Sequence, residues 1–341
     1  MIAAVAGYPP LPAERRASLP PEQRGLRRDH VRLLLVDRAA GSVAHTRFDR
    51  LPALLAAGDV LVVNTSRVLP AAVHARRASG EAVQVRPCVR RPCEWDALVV
   101  QAGPPFANVP LQVGEVLRIG DAAVRVVGRR PDIPLLWRLD VPAGDLDLVL
   151  RHGEPIRYSY VPVPVPLDAY QTVFASHPGS AESPSAARPL TWELLGRLRR
   201  GGVGVAELVL HTGLSSYQDD AFDLEHRLFE EWFEVDPLAA EAVNRARRVV
   251  AVGTTVVRAL ESAGDADGRV APSRGWTELA IGPARPPRVV DALLTGLHEP
   301  QASHFELLRA FVPEPLLRRA YVEAMERGYL WHEFGDAMLI V

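Results

Sequence analysis

The stretch that most constrains the fold of this chain is Arg248-Val-Val-Ala-Val-Gly-Thr-Thr-Val-Val-Arg-Ala-Leu-Glu-Ser262. Residues 249–252 form an apolar, β-branched run of the length of a buried strand. Gly253 breaks the run, and Thr254 and Thr255 follow as candidate helix caps. Val256, Val257 and Leu260 then recur at helical spacing, with Arg258 and Glu261 on the polar side. A strand that turns through glycine into a helix is an α/β element. It leaves backbone N–H groups free at the positive end of a helix dipole, which suits a carboxylate or phosphate. Arg258, one turn in, can add a guanidinium to the same anion. Many such turns bind nothing, so a ligand site here needs other residues beside it.

Elsewhere the same texture recurs. Residues 31–37 read as a strand and 48–57 as a short helix ending at Gly58. Residues 60–63 read as a second buried strand that runs into Asn64-Thr-Ser-Arg-Val-Leu-Pro70. Polar side chains at the carboxyl end of such a strand are where open α/β sheets place ligands. Asn64 and Arg67 are therefore candidates there, with capping of the turn as their structural alternative. From residue 71 to about 155 the pattern changes to short alternating strands separated by Gly, Pro and Asp, with little helical periodicity. A proline-punctuated connector follows at 158–167. Helical stretches (192–200, 237–247, 303–330) then alternate with apolar strands (204–210, 249–252, 289–294). The expected fold class is α/β: a discontinuous α/β domain of residues 1–70 plus 156–341, with a small antiparallel β-barrel domain inserted over 71–155. Residues 8–30 read as irregular chain, with disorder as the alternative for their first half.

Charge and composition narrow the function classes. With a formal net charge of -2 over 341 residues, any contact with nucleic acid must come from a local patch. All 39 basic residues are arginine, which removes lysine Schiff-base chemistry. Cys88 and Cys93 lack the partners of a zinc site, so reduced thiols and no metal are expected. No apolar run reaches membrane-spanning length and no signal-peptide core is present, which points to a cytoplasmic protein with no membrane partner. No feature sets an oligomeric state.

Taken together, several segments resemble one family. They are Gly58-Asp-Val-Leu-Val-Val-Asn-Thr-Ser-Arg-Val-Leu-Pro70, Tyr170-Gln-Thr-Val-Phe174, Leu210-His-Thr-Gly213, the 251–262 stretch, Val289-Val-Asp-Ala-Leu-Leu-Thr295, His298 with Pro300, and Phe334-Gly-Asp-Ala-Met-Leu-Ile340. In that order, and over nearly the whole chain, they resemble the S-adenosylmethionine:tRNA ribosyltransferase-isomerase family of queuosine biosynthesis. The resemblance implies a discontinuous α/β domain with an inserted barrel, S-adenosylmethionine as a substrate, and tRNA as partner. The implied reaction moves the ribosyl part of S-adenosylmethionine onto 7-aminomethyl-7-deazaguanine at a tRNA wobble position. Epoxyqueuosine forms, and adenine and methionine leave.

That chemistry needs a base for the acidic C–H beside a sulfonium, an anion site for the amino-acid tail, and a wall and proton donor for departing adenine. His211, His226 and His298 are the proton-transfer candidates, each set against a structural hydrogen bond. Gly253, Thr254, Thr255 and Arg258 are candidates for the methionine carboxylate or an RNA phosphate. Tyr170, with Phe174 at helical spacing, offers a stacking face or a core contact. Glu231 can orient a histidine or bind a ribose hydroxyl, and Asp336 can bind ligand or cap the turn after Gly335. Arg28, Arg67, Arg188 and the 197–200 cluster are the arginines available for RNA.

The chain also departs from the family's pattern. Where the family carries Pro-Thr-Ala-Gly-Leu-His-Phe, this chain has Pro184-Ser-Ala-Ala-Arg-Pro-Leu190, which keeps a hydroxyl at Ser185 and loses the imidazole. Met-His-Ser-Glu appears as Leu228-Phe-Glu-Glu231, Thr-Asn-Phe-His-Leu-Pro as Thr295-Gly-Leu-His-Glu-Pro300, and Ser-Thr-Leu as Ala302-Ser-His304. Proline and arginine cannot shuttle a proton. The altered segment therefore predicts weakened epoxyqueuosine formation with S-adenosylmethionine binding kept, unless another histidine takes over. The alternatives are a paralogue with a small-molecule acceptor and a non-catalytic nucleotide- or RNA-binding relative.

Overall fold

The computed structural model describes residue 8 and residues 10–214, 229–300 and 303–341. Its larger sheet orders nine strands as Ser273–Thr277, Glu231–Val235, Gly204–Leu210, Asp59–Asn64, Arg248–Val252, Ala292–Gly296, Ala337–Ile340, Arg32–Asp37 and Ser42–Arg47. The third to sixth of these run parallel, so their carboxyl ends share one edge. Ala337–Ile340 runs antiparallel to its neighbour Ala292–Gly296 and parallel to Arg32–Asp37. The beginnings of those two strands therefore reach the same edge.

The central strands are apolar on both faces because both faces are covered. In Asp59–Asn64 all six residues are buried. Val60 and Val62 point to a core shared with the helices Pro237–Arg245, Thr254–Ala263, Ser303–Phe311 and Glu314–Glu326. Leu61 and Val63 point to the opposite core, closed by the helix Trp192–Arg200 and the 3₁₀ segment Phe48–Ala53.

The short alternating strands do form a barrel. Ala72–Arg76, Ala82–Arg91, Glu94–Gln101, Trp137–Asp140, Ala122–Arg129 and Val116–Ile119 pair in that order, and Arg76 opposite Arg118 closes the ring. The chain leaves the barrel by pairing Gly153 with Val73. A Cβ at position 153 would lie 1.8 Å from the Pro70 carbonyl oxygen, so the crossing there requires glycine. Part-buried ion pairs tie the barrel to the sheet: Arg91 and Arg130 both reach Glu230, which precedes the strand Glu231–Val235, and within the barrel Arg130 is held by the buried Asp96 at 3.3 Å.

Three local expectations are corrected. Residues 10–30 are held in 3₁₀ turns, because Glu22 pairs with Arg28 and Arg188 and the Ala17 N–H donates to the Trp331 carbonyl. The helix expected over 48–57 is a 3₁₀ segment that stops at Ala53, with Pro52 inside it and withholding an N–H. The Thr254–Ala263 helix is capped by Gly253 at φ 93°, not by a threonine side chain, so Thr254 and Thr255 are its first two helical residues. Among the described residues no helix is long and apolar enough to cross a membrane.

Candidate functional site

The shared edge of the parallel strands gathers most of the candidate residues. Asn64 ends its strand fully buried and stitches the edge together. Its amide donates to the Leu210 carbonyl at 2.8 Å and lies 3.4 Å from the Thr255 hydroxyl, while its Oδ1 accepts from the Leu210 and Ser66 N–H groups at 3.0 Å. Every polar atom of Asn64 is thereby used in positioning, and it has none left to contact a ligand.

His211 follows the next strand. Its Nδ1 lies 2.7 Å from the Ser66 hydroxyl, which lies 2.6 Å from the Ser180 hydroxyl, and its ring stacks on Trp232 with centroids 5.3 Å apart. A Cβ on Gly179 would fall 2.3 Å from that Nδ1, so the ring's place depends on glycine there. Burial, with the nearby Arg90 and His177 charges, pulls the imidazole down to about 4. At neutral pH His211 is an uncharged, weakly basic ring held in one orientation.

The Gly253 turn lies between these strands and Ser185–Ala187, whose Ala186 Cβ would be 3.5 Å from a Cβ on Gly253. The first N–H groups of the helix have no intrahelical acceptor. Arg258 does not reach this turn. Its guanidinium pairs with Glu231 and donates to the carbonyls of Leu279, Phe229 and Thr277, which accounts for all its nitrogens. Glu231 also accepts from the Gly213 N–H at 3.0 Å, and burial pushes its carboxyl up against the opposing pull of Arg258. The pair locks the helix to the strand Glu231–Val235, so the expected anion contact by Arg258 gives way to a structural role.

At the other end of the edge, His298 Nε2 lies 3.0 Å from the Thr295 hydroxyl and its ring stacks on His304, centroids 4.9 Å apart. Burial and the neighbouring His304 and His332 hold His298 well below the usual imidazole range, and burial with Arg258 brings His304 to about 4. Beside them a small cleft is lined by Ser185, Pro189, Gly296, His332 and Asp336, among others. Asp336 is buried and accepts the N–H groups of Arg32 at 2.7 Å and Leu330 at 2.8 Å, so it pins this turn.

Other candidates lie apart. Tyr170 is buried against Phe334. It belongs to the 3₁₀ segment Leu167–Tyr170, so it and Phe174 do not share a helix face. Arg67 is exposed on the short strand Ser66–Val68. Arg188 is buried and donates to Glu22 and the Ala169 carbonyl, and the 197–200 arginines end a helix that returns to the opposite edge of the sheet. His226 lies outside the described residues. Residue-by-residue reading missed Ser66, Ser180, Trp232, His304 and the His332–Glu299 pair. His304 was visible only as a departure from the family's leucine. Among the described residues no group of three or more His, Cys, Asp or Glu is placed to hold a metal ion.

Residues 8–340 match the family described as queuosine biosynthesis protein. An S-adenosylmethionine:tRNA ribosyltransferase-isomerase from Thermus thermophilus is 40% identical, over 95% of this chain and 97% of the relative. The enzyme of the same name from Carboxydothermus hydrogenoformans is 34% identical over 97% of each. The crystal structure of S-adenosylmethionine tRNA ribosyltransferase from Thermotoga maritima superposes with a TM-score of 0.54 at 28% identity, covering 98% of this chain and 99% of that one.

Proposed function

Because the chain belongs to the queuosine biosynthesis family of S-adenosylmethionine:tRNA ribosyltransferase-isomerases, we propose that it carries out that family's reaction on tRNA. S-adenosylmethionine is the ribosyl donor and 7-aminomethyl-7-deazaguanine at the wobble position is the acceptor. The products are epoxyqueuosine in the tRNA, adenine and methionine.

The observation that carries this reading is convergence. Segments at 64–66, 185–189, 211–213, 253–255 and 295–298, far apart in sequence, meet along one sheet edge. This is the edge at which α/β sheets hold ligands. The free N–H groups of the Gly253 turn receive the methionine carboxylate. Trp232, stacked on His211, offers an aromatic wall for adenine. The extracted tRNA base enters between this edge and the barrel, in the manner of enzymes that must reach an atom hidden in a stack. With a formal net charge of -2, tRNA affinity rests on local arginines, of which Arg67 is exposed at this edge, and falls steeply with salt. Cytoplasmic location follows from this substrate.

The test is release of adenine from S-adenosylmethionine. Adenine should appear with tRNA carrying 7-aminomethyl-7-deazaguanine and not with tRNA carrying guanine at that position. Equal release with both, or none with either, would reject the assignment.

A further inference from the structure

The geometry points to His332, positioned by Glu299, as the base that removes the proton beside the sulfonium. The inference rests on the function proposed above and names a residue for it. Pro189 stands where the family's segment carries an imidazole. The cleft that Pro189 lines is lined also by His332, delivered from the C-terminal segment. An imidazole is therefore present in that cleft, supplied by a different part of the chain.

Three features hold this ring in place. His332 Nε2 lies 3.1 Å from Glu299 Oε1, within ion-pair distance though without hydrogen-bond geometry, and Glu299 in turn meets Arg16 at 3.3 Å. The ring stacks on Tyr160, centroids 4.4 Å apart and planes 17° from parallel, and the Tyr160 hydroxyl is fixed by Glu333. The backbone of His332 is left-handed, φ 72°, a conformation that residues with side chains keep where their surroundings over-determine it. Burial opposes ionisation of Glu299, but His332 and Arg16 outweigh it and hold its carboxyl below the usual range. A carboxylate so placed stabilises the imidazolium by its charge, as in other histidine–carboxylate pairs. Position 299 is itself a departure, since the family's segment has leucine there. His211 and His298, the two described candidates from sequence, are both pulled toward weak basicity by burial.

In the step assigned, the C–H bond on the carbon beside the sulfonium breaks and its electron pair stays on carbon, next to the positive sulfur. The proton forms a new N–H bond on His332, and the imidazolium is balanced by Glu299. The charged and titratable groups beside the ring are Glu299 with Arg16 behind it, Tyr160 with Glu333, and His298.

The experiment measures adenine release from S-adenosylmethionine with the 7-aminomethyl-7-deazaguanine tRNA across pH, for the full chain and for His332→Gln and Glu299→Gln. His332→Gln should lower kcat by about 100-fold or more, as loss of a general base does, with KM for S-adenosylmethionine within about threefold. Glu299→Gln should shift the acidic limb of kcat/KM to lower pH, because an imidazole without its carboxylate is the weaker base. A merely structural ion pair would not move that limb, so the limb decides the matter even where His332→Gln folds poorly. Turnover of folded His332→Gln within about threefold of the unmodified chain, or an unmoved limb in Glu299→Gln, would overturn the assignment. No adenine from the unmodified chain would remove the proposed function, and this inference with it.

Discussion

Arg258 turns its guanidinium inward, to Glu231 and three carbonyls, and away from the Gly253 turn. Helical spacing placed it on a polar face, but its partner lies 27 positions earlier and meets it only in the folded sheet. Arg258→Ala should therefore cost about 3–5 kcal/mol of stability in urea unfolding, because it leaves Glu231 buried without its counter-charge. Unchanged stability with S-adenosylmethionine binding abolished would show instead that the guanidinium serves the ligand. His211 makes a second case. The chain carries no local signal that Ser66, Ser180 and Gly179 fix its ring, because those contacts join segments more than thirty residues away from it. In Gly179→Ala the new methyl should displace the imidazole and lower kcat by about tenfold or more while the protein stays folded. Wild-type turnover in that variant would separate His211 from the reaction.

Among the elements, the parallel strands were legible because burial on both faces makes them uninterrupted apolar runs, as at residues 60–63 and 249–252. The strands Ser42–Arg47, Glu231–Val235 and Ser273–Thr277 were not, because they are partly exposed and mix charged with apolar residues. The strand-to-helix turn itself was found, with its cap assigned to the wrong residue. Gly253 needs its positive φ of 93° to bring the helix start to the sheet edge. Gly253→Ala should cost about 1–3 kcal/mol in urea unfolding, because φ 93° with ψ 155° is backbone that only glycine enters freely. It should also weaken S-adenosylmethionine binding by calorimetry. Affinity unchanged in the folded variant would place the methionine carboxylate elsewhere.

For the whole molecule, the inserted barrel was legible as a change of pattern near residue 71. The meeting of distant segments at one edge was not, since it depends on strand order. The same convergence half-buries imidazoles. His211 and His304 are brought from an ordinary 6.5 to about 4, and His298 also falls. A histidine depressed in the folded state contributes stability that is fully present above 6.5 and is lost as pH falls toward 4, where only the unfolded chain binds the proton. The urea midpoint should accordingly lose less between pH 6.5 and 4 in His304→Leu than in the unmodified chain. An identical loss would mean that His304 is not buried neutral. The substitution at Pro189 predicted a weakened reaction. The imidazole of His332 in the same cleft supplies a reason for turnover to persist. The most direct test is mass spectrometry of nucleosides from tRNA bearing 7-aminomethyl-7-deazaguanine after incubation with the protein and S-adenosylmethionine. Epoxyqueuosine should replace the 7-aminomethyl-7-deazaguanine nucleoside in step with adenine release; adenine released while that nucleoside remains unchanged would contradict the account and direct the ribosyl group to a small-molecule acceptor.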